Sequence, residues 1–230
     1  MELCGLQKLT LLDYPGKVAC TVFTGGCNFR CPFCHNASLV LRPGQAEVLA
    51  EEKFWGFLQK RQGLLDGVCV TGGEPLLQKD LAAFLGKIKA LGFLVKLDTN
   101  GSFPDQLAEL LEHKLVDYVA MDIKNSREHY GLTTGLDAVA IENIEESVKL
   151  LEQKLVPYEF RTTVVRELHS REDFAAIGRW LSKDSPYFLQ AFVDSGDLIG
   201  AHLTAYTKAE MEQMAHILRR TMKHVAIRGL

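Results

Sequence analysis

The chain has 230 residues, 47% hydrophobic and 24% charged, and its 26 basic and 29 acidic side chains give a formal charge of −3. That composition excludes a disordered chain and offers no basic excess for duplex nucleic acid or an anionic membrane surface. No apolar run approaches the roughly 18 residues of a spanning helix, and the N-terminus lacks the basic start and apolar core of a secretory signal, so the expected compartment is the cytoplasm.

Val18–Phe23 reads as the first strand, rich in β-branched and aromatic residues and closed by Thr24-Gly25-Gly26. Residues 24–44 show no helical period and read as a functional loop. Ala46–Gln62 reads as a helix with Val48, Trp55 and Leu58 near one face, and Leu64–Val70 as a second strand stopped by Gly72-Gly73. Gln78–Leu91 places Leu81, Phe84, Leu85 and Ile88 at i, i+3, i+4, i+7, an amphipathic helix. Phe93–Leu97 is a third strand, ending in Asp98-Thr99-Asn100-Gly101, and Pro104 starts the next helix. Val116–Met121 is a fourth strand ending at Asp122-Ile123-Lys124, followed by an irregular stretch, Asn125–Val139. Ile141–Lys154 carries a stripe of Ile141, Ile144, Val148, Leu151 and, just beyond, Leu155. Tyr158–Val165 is a fifth strand, Ser170 caps a helix with Asp173 three residues on, and Tyr187–Phe192 is a sixth strand. Thr207–Met222 is the last helix, with Met211 and Met214 as core packing, and Val225–Arg228 a short terminal strand.

Strand and helix alternate six times with no linker, which predicts one α/β domain over 1–230 with parallel strands and outer helices. A closed barrel takes about 250 residues and eight strands. The expected architecture is therefore a partial (β/α)6 TIM-like barrel, open at one side, with a doubly wound sheet as the alternative. Both put a site at the carboxyl ends of the strands.

Six cysteines sit at 4, 20, 27, 31, 34 and 69. In a cytoplasmic chain of this length a disulfide framework is a poor explanation. Cys27, Cys31 and Cys34 follow the first strand with spacing C-x3-C-x2-C, close enough to wrap one iron–sulfur cube. A [4Fe–4S] cluster usually takes four thiolates, so three leave one iron open to a small molecule. A zinc site is the other metal reading, but no second C-x2-C follows, and His35 adjoins Cys34 too closely for both to ligate one tetrahedral ion comfortably. Cys20 and Cys69 read as small core residues, Cys4 as a free thiol, and the six histidines other than His35 carry no assigned role.

The motif Cys27-Asn-Phe-Arg-Cys31-Pro-Phe33-Cys34-His35-Asn36, with the lead-in Leu12-Asp13-Tyr14-Pro15-Gly16-Lys17, resembles the radical S-adenosylmethionine (SAM) superfamily. It is most similar to activating proteins of glycyl radical enzymes, above all those of the anaerobic ribonucleoside-triphosphate reductase in their longer form. The resemblance implies a [4Fe–4S] cluster on Cys27, Cys31 and Cys34 that reductively cleaves SAM to a 5′-deoxyadenosyl radical. That radical generates a glycyl radical on a partner enzyme, with a small donor such as flavodoxin supplying the electron. Activation of pyruvate formate-lyase or another glycyl radical enzyme, or action on a small molecule, is the alternative.

The resemblance also implies a set of SAM contacts: Phe33, His35, Asn36, Gly72, Gly73, Glu74, Asp98, Asp122, Lys124 and Arg161. On residue chemistry alone, two glycines let backbone approach a ligand and the Glu74 carboxylate can pair with an ammonium group. Asp98 reads equally as an Asx-type turn. Asp122 and Lys124 are two apart, hence on one strand face, and read equally as a simple ion pair. Arg161, Thr163 and Val165 share a face, and an arginine turned into a barrel needs a carboxylate, which SAM carries. Gln190 is a further candidate. The pyruvate formate-lyase activator has a SAM-contacting histidine near this place, whereas Gln190-Ala-Phe-Val-Asp194 offers none.

Overall fold

The computed structural model describes residues 1–42 and 48–230. The end of the expected cysteine loop, Pro43 and Gly44, and the start of the expected Ala46–Gln62 helix lie outside the described residues.

Eight strands form one sheet in sequence order: β1 (Leu3–Thr10), β2 (Ala19–Thr24), β3 (Gly67–Gly72), β4 (Leu94–Thr99), β5 (Tyr118–Asp122), β6 (Tyr158–Val164), β7 (Pro186–Ala191) and β8 (His224–Arg228). From β2 onward every neighbour pair is parallel, and β1 pairs antiparallel with β2. No pairing joins β1 to β8 among the described residues, so the sheet is an open arc. The helices are α1 (Ala37–Leu41), α2 (Glu51–Gln59), α3 (Leu81–Ala90), α4 (Pro104–Glu112), α5 (Tyr130–Thr134), α6 (Ile141–Glu152), α7 (Arg171–Trp180) and α8 (Lys208–Leu218).

The parallel βα arc agrees with the sequence reading, with three additions. β1 went unpredicted because Leu-Cys-Gly-Leu-Gln-Lys-Leu-Thr has no clean alternation, and its ladder is irregular between Leu3 and Gly5 and between Gln7 and Thr10. α1 and α5, five residues each, lie inside stretches read as loops and are too short to carry a periodic signal. Local signals held elsewhere. Ser170 and Asp173 form a complete capping box, Pro104 opens α4, and Leu81, Phe84, Leu85 and Ile88 are the buried face of α3. On α2 the buried residues are Phe54 and Leu58, while Val48 and Leu155 stay exposed.

The strands are two-faced in an informative way. On β4, Val95 and Leu97 join Leu85, Ile88 and Leu107 in the apolar core shared with the helices. Burying each such side chain contributes about 1.5–3 kcal/mol. The alternate residues of β4, Lys96 and Asp98, turn to the other face, the lumen of the arc. Glu159 and Arg161 of β6 do the same: Glu159 holds Arg228 of β8 in a bidentate pair (2.7 and 2.8 Å) and Arg161 reaches the carboxylates of β4 and β5. The outer face thus supplies the stability, and the lumen is left for polar chemistry.

Candidate active site

A cavity of about 390 Å³ lies at the carboxyl ends of the strands, within the size range of small-ligand sites. Cys27, Cys31 and Cys34 line it, and so does every other site residue the sequence singled out. Its walls run from Gln7 on β1 to Gln190 on β7, so it spans nearly the whole arc.

The cysteine loop starts where β2 ends, and close backbone contact fixes its first turn. Gly73 donates to the Thr24 carbonyl and Glu74 to that of Gly26, both at 2.9 Å. A Cβ on Gly73 would stand 1.7 Å from the Gly26 oxygen, and Gly72 has φ +127° with its missing Cβ 2.2 Å from the Thr24 nitrogen. The glycine pair, expected to make room for a ligand, makes room for the cysteine loop. Asn36 ties the loop's other end to the same place, its carboxamide donating to the Gly72 carbonyl at 2.9 Å. Between these points Cys34 N–H donates to the Cys31 carbonyl (3.0 Å), and Arg30 N–H to the Thr134 carbonyl of α5 (2.8 Å).

None of the three loop thiols is in a disulfide. Burial raises all three above the ordinary thiol range, and pushes Cys31 up to about 12. The sulfur of Cys27 accepts from the Phe29 N–H at 3.3 Å and lies 3.9 Å from the Asn100 carboxamide nitrogen. Such donors stabilise a sulfur that carries negative charge. Among the described residues no three His, Cys, Asp or Glu side chains converge on one ion-sized point. Buried Nε2 of His35 has no partner there, and its ring stacks on Phe192 at 5.7 Å. Three free thiols from one loop line a single cavity, with N–H donors beside the Cys27 sulfur, a donor set that suits a [4Fe–4S] cluster.

Opposite the loop, the lumen carries a continuous ladder of charge. Asp98 accepts from Lys96 and, at 2.9 Å, from Arg161. Arg161 also donates through Nε to Asp122 at 2.6 Å, and Lys124 closes the row on the other Asp122 oxygen at 2.8 Å. Adjacent register positions of Asp122 and Arg161 on β5 and β6 make this reach short. Burial opposes ionisation of both aspartates, but Arg161, aided by Lys96 for Asp98 and by Lys124 for Asp122, holds them below the usual carboxylate range. Lys124 and Arg161 are correspondingly raised against their own desolvation. Three cations face two anions, so the ladder carries one surplus positive charge. Lys124 also stands 5.7 Å from the Phe33 ring centre.

Several expectations change. Arg161 was to find its carboxylate on a ligand; Asp98 and Asp122 already hold it. Asp98 is not an Asx turn, because the turn belongs to Asn100, whose Oδ1 accepts the Ser102 N–H at 2.9 Å. Glu74 is 1% exposed and accepts from the Leu76 N–H (3.1 Å), the Thr99 hydroxyl (2.8 Å) and the Asn100 N–H (2.7 Å). A carboxylate has about four lone-pair sites, so Glu74 is a brace between the glycine pair and the end of β4 rather than an open ammonium partner. Burial lifts its acid to about 7 despite those donors.

Sequence reasoning missed Lys96, Asp13 and His169. Lys96 sits two residues before Asp98, the same period-two signal that singled out Asp122 and Lys124. Asp13 accepts from the Thr21 hydroxyl at 2.5 Å and lines the cavity. His169 is buried, bonds the Lys124 carbonyl at 2.8 Å and meets Phe33 edge-on. Cys20 and Cys69 are fully buried, but Cys69 lies on the lumen side, 3.8 Å from the Lys96 ammonium.

The family model for the radical SAM superfamily matches residues 21–181. A Methanocaldococcus jannaschii protein provisionally named a glycyl-radical enzyme activating enzyme is 33% identical over 98% of this chain and 95% of its own length. The pyruvate formate-lyase-activating enzyme of Clostridium pasteurianum is 33% identical over 52% of this chain and 51% of its own. Among solved structures, Streptococcus suis SuiB bound to S-adenosylmethionine superposes with a TM-score of 0.67 at 15% identity, covering 89% of this chain and 48% of SuiB. That likeness is one of fold, and this chain spans about half the length of SuiB. No helix among the described residues is long and apolar enough to cross a membrane.

Proposed function

From the premise that this chain belongs to the radical SAM superfamily, whose members use a [4Fe–4S] cluster and SAM, we propose that it is a cytoplasmic activase of the anaerobic ribonucleoside-triphosphate reductase. Cys27, Cys31 and Cys34 would hold three irons of the cluster and leave the fourth for SAM. A bound and reduced cluster would supply one-electron cleavage of SAM to methionine and a 5′-deoxyadenosyl radical, chemistry that would let this chain take a hydrogen atom from a glycine of the partner enzyme. A small donor such as flavodoxin delivers that electron.

The chain's own residues bind, orient and exclude water. Gly72, Gly73, Glu74 and Asn36 hold the cysteine loop against the strand ends. Arg161 and Lys124 bring two cations to the cavity wall beside Asp98 and Asp122, and Lys96 behind Asp98 gives the row its one surplus positive charge, matched to the SAM carboxylate. Phe33 and His35 line the same space. The open arc leaves a side through which a glycine loop of another protein can enter.

The observation that carries this reading is the meeting of three free loop thiols and the row Asp98, Arg161, Asp122 and Lys124 in one cavity. Full-length likeness to a glycyl-radical enzyme activating enzyme supports a protein rather than a small-molecule target. In the test, anaerobically reconstituted protein should hold about four irons and form 5′-deoxyadenosine with dithionite. Mixed with candidate partners, it should give a glycyl radical signal in electron paramagnetic resonance with the reductase. A signal with pyruvate formate-lyase instead would redirect the target. Full SAM cleavage by Cys27→Ala, Cys31→Ala or Cys34→Ala would sink the cluster assignment.

A further inference from the structure

The segment 192–206, which follows β7, touches the cysteine loop three times. Phe192 stacks on His35. Asp197 Oδ2 accepts both the N–H (3.2 Å) and the hydroxyl (2.8 Å) of Ser38. Gly200 N–H donates to the Pro32 carbonyl at 2.7 Å, and a Cβ on Gly200 would stand 2.7 Å from the Pro32 Cβ. Pro32, His35 and Ser38 alternate with or follow the three cysteines, so the contacts grip the part of the loop that bears the thiols.

The far end of the segment is fastened independently. Thr204 gives its N–H (2.8 Å) and hydroxyl (2.5 Å) to Glu167, Ala205 bridges Val165, and the Tyr206 hydroxyl donates to the His169 carbonyl at 2.7 Å. No residue of 192–206 lines the cavity. The segment therefore acts on the cysteine loop from behind and not on anything bound in front of it.

We propose that 192–206 is a strap that positions the cysteine loop and slows loss of the metal cluster. Held at Thr24–Gly26, at Arg30 by the Thr134 carbonyl and at Asn36, the loop could still open between Arg30 and Asn36 and release iron. Contacts at Pro32, His35 and Ser38 remove that freedom. The inference rests on the reading that this loop holds a [4Fe–4S] cluster.

The test uses the reconstituted full chain as wild type, Asp197→Ala, Ser38→Ala, their double variant and Gly200→Ala. Iron release to excess ferrous chelator is followed anaerobically, and urea unfolding midpoints of the same apo proteins are measured. Each variant should release iron about three- to tenfold faster, from loss of one or two hydrogen bonds or of a close backbone contact. The double variant should be no faster than Asp197→Ala, because that change already removes both hydrogen bonds to Ser38. Urea midpoints should stay at the wild-type value for Asp197→Ala, whose side chain is exposed. Wild-type release rates in both Asp197→Ala and Gly200→Ala would overturn the strap, as would faster release matched by a lowered midpoint in Asp197→Ala. Wild-type protein that takes up no iron and sulfide would overturn the cluster reading, and the strap with it.

Discussion

Gly73 meets Gly26 backbone to backbone: the Cβ that any other residue would add at position 73 falls 1.7 Å from the Gly26 oxygen. A separation that short cannot be relieved by a side-chain rotation, since both partners are main chain. Gly73→Ala should therefore force the cysteine loop away from the end of β2. The expected outcome is a folded chain, by circular dichroism, that takes up less than half the wild-type iron. Gly63→Ala is the control, because Gly63 has nothing within 4 Å, though its φ of +75° will cost some stability.

Arg161 supplies the surplus charge of the ladder, and its removal separates stability from binding. Arg161→Met leaves Lys96–Asp98 and Asp122–Lys124 as two closed ion pairs. Net charge falls from one positive to zero, so no buried charge is stranded. The apo chain should lose only about 1–2 kcal/mol in urea unfolding. Retention of SAM by the reconstituted protein, read by equilibrium dialysis, should fall at least about tenfold, the worth of a charge-assisted contact. Unchanged retention would place the SAM carboxylate elsewhere.

The arc of parallel strands was legible because strands buried on both faces and capped amphipathic helices leave strong local signals. The three cysteines were legible because a metal-binding loop must carry its ligands close together in sequence. What remained hidden was the choice of partner. Sequence placed Arg161, Asp98 and Asp122 near one another without showing that Arg161 bridges the other two, since that follows from the register of β5 on β6. Glu74 looked free because its three donors come from Leu76 nearby and from Thr99 and Asn100 at the end of another strand. The strap stayed unseen because its contacts link residues more than 150 positions apart through a segment with no periodic pattern.

Glu74 gives the apo protein a pH dependence of definite sign. Burial raises its acid from the ordinary 4.5 to about 7. A raised acid stabilises the fold most below its unfolded value, and that contribution disappears as pH rises through the folded value. Stability should therefore decline from about pH 5 to pH 8, by at most about 3 kcal/mol for a shift of this size. Urea midpoints across that range should fall in wild type and stay flatter in Glu74→Gln. A wild-type midpoint that rises over the same interval would contradict the burial argument.

Charge counting along the ladder makes the sharpest stability prediction. Asp98→Asn leaves Lys96, Arg161 and Lys124 facing Asp122 alone, two uncompensated positive charges in a buried row. Breaking a buried pair by removing one partner costs about 3–5 kcal/mol, because the remaining charge stays desolvated. Adding Lys96→Met removes one of the stranded cations and returns the row to its native surplus of one. Methionine fills much of the lysine stem's volume, so the packing term is small. The double variant should then recover more than half of the stability lost in Asp98→Asn, measured as the urea unfolding free energy of the apo chain. Additive losses would show that Lys96 and Asp98 do not interact in solution, against the contact that joins them here.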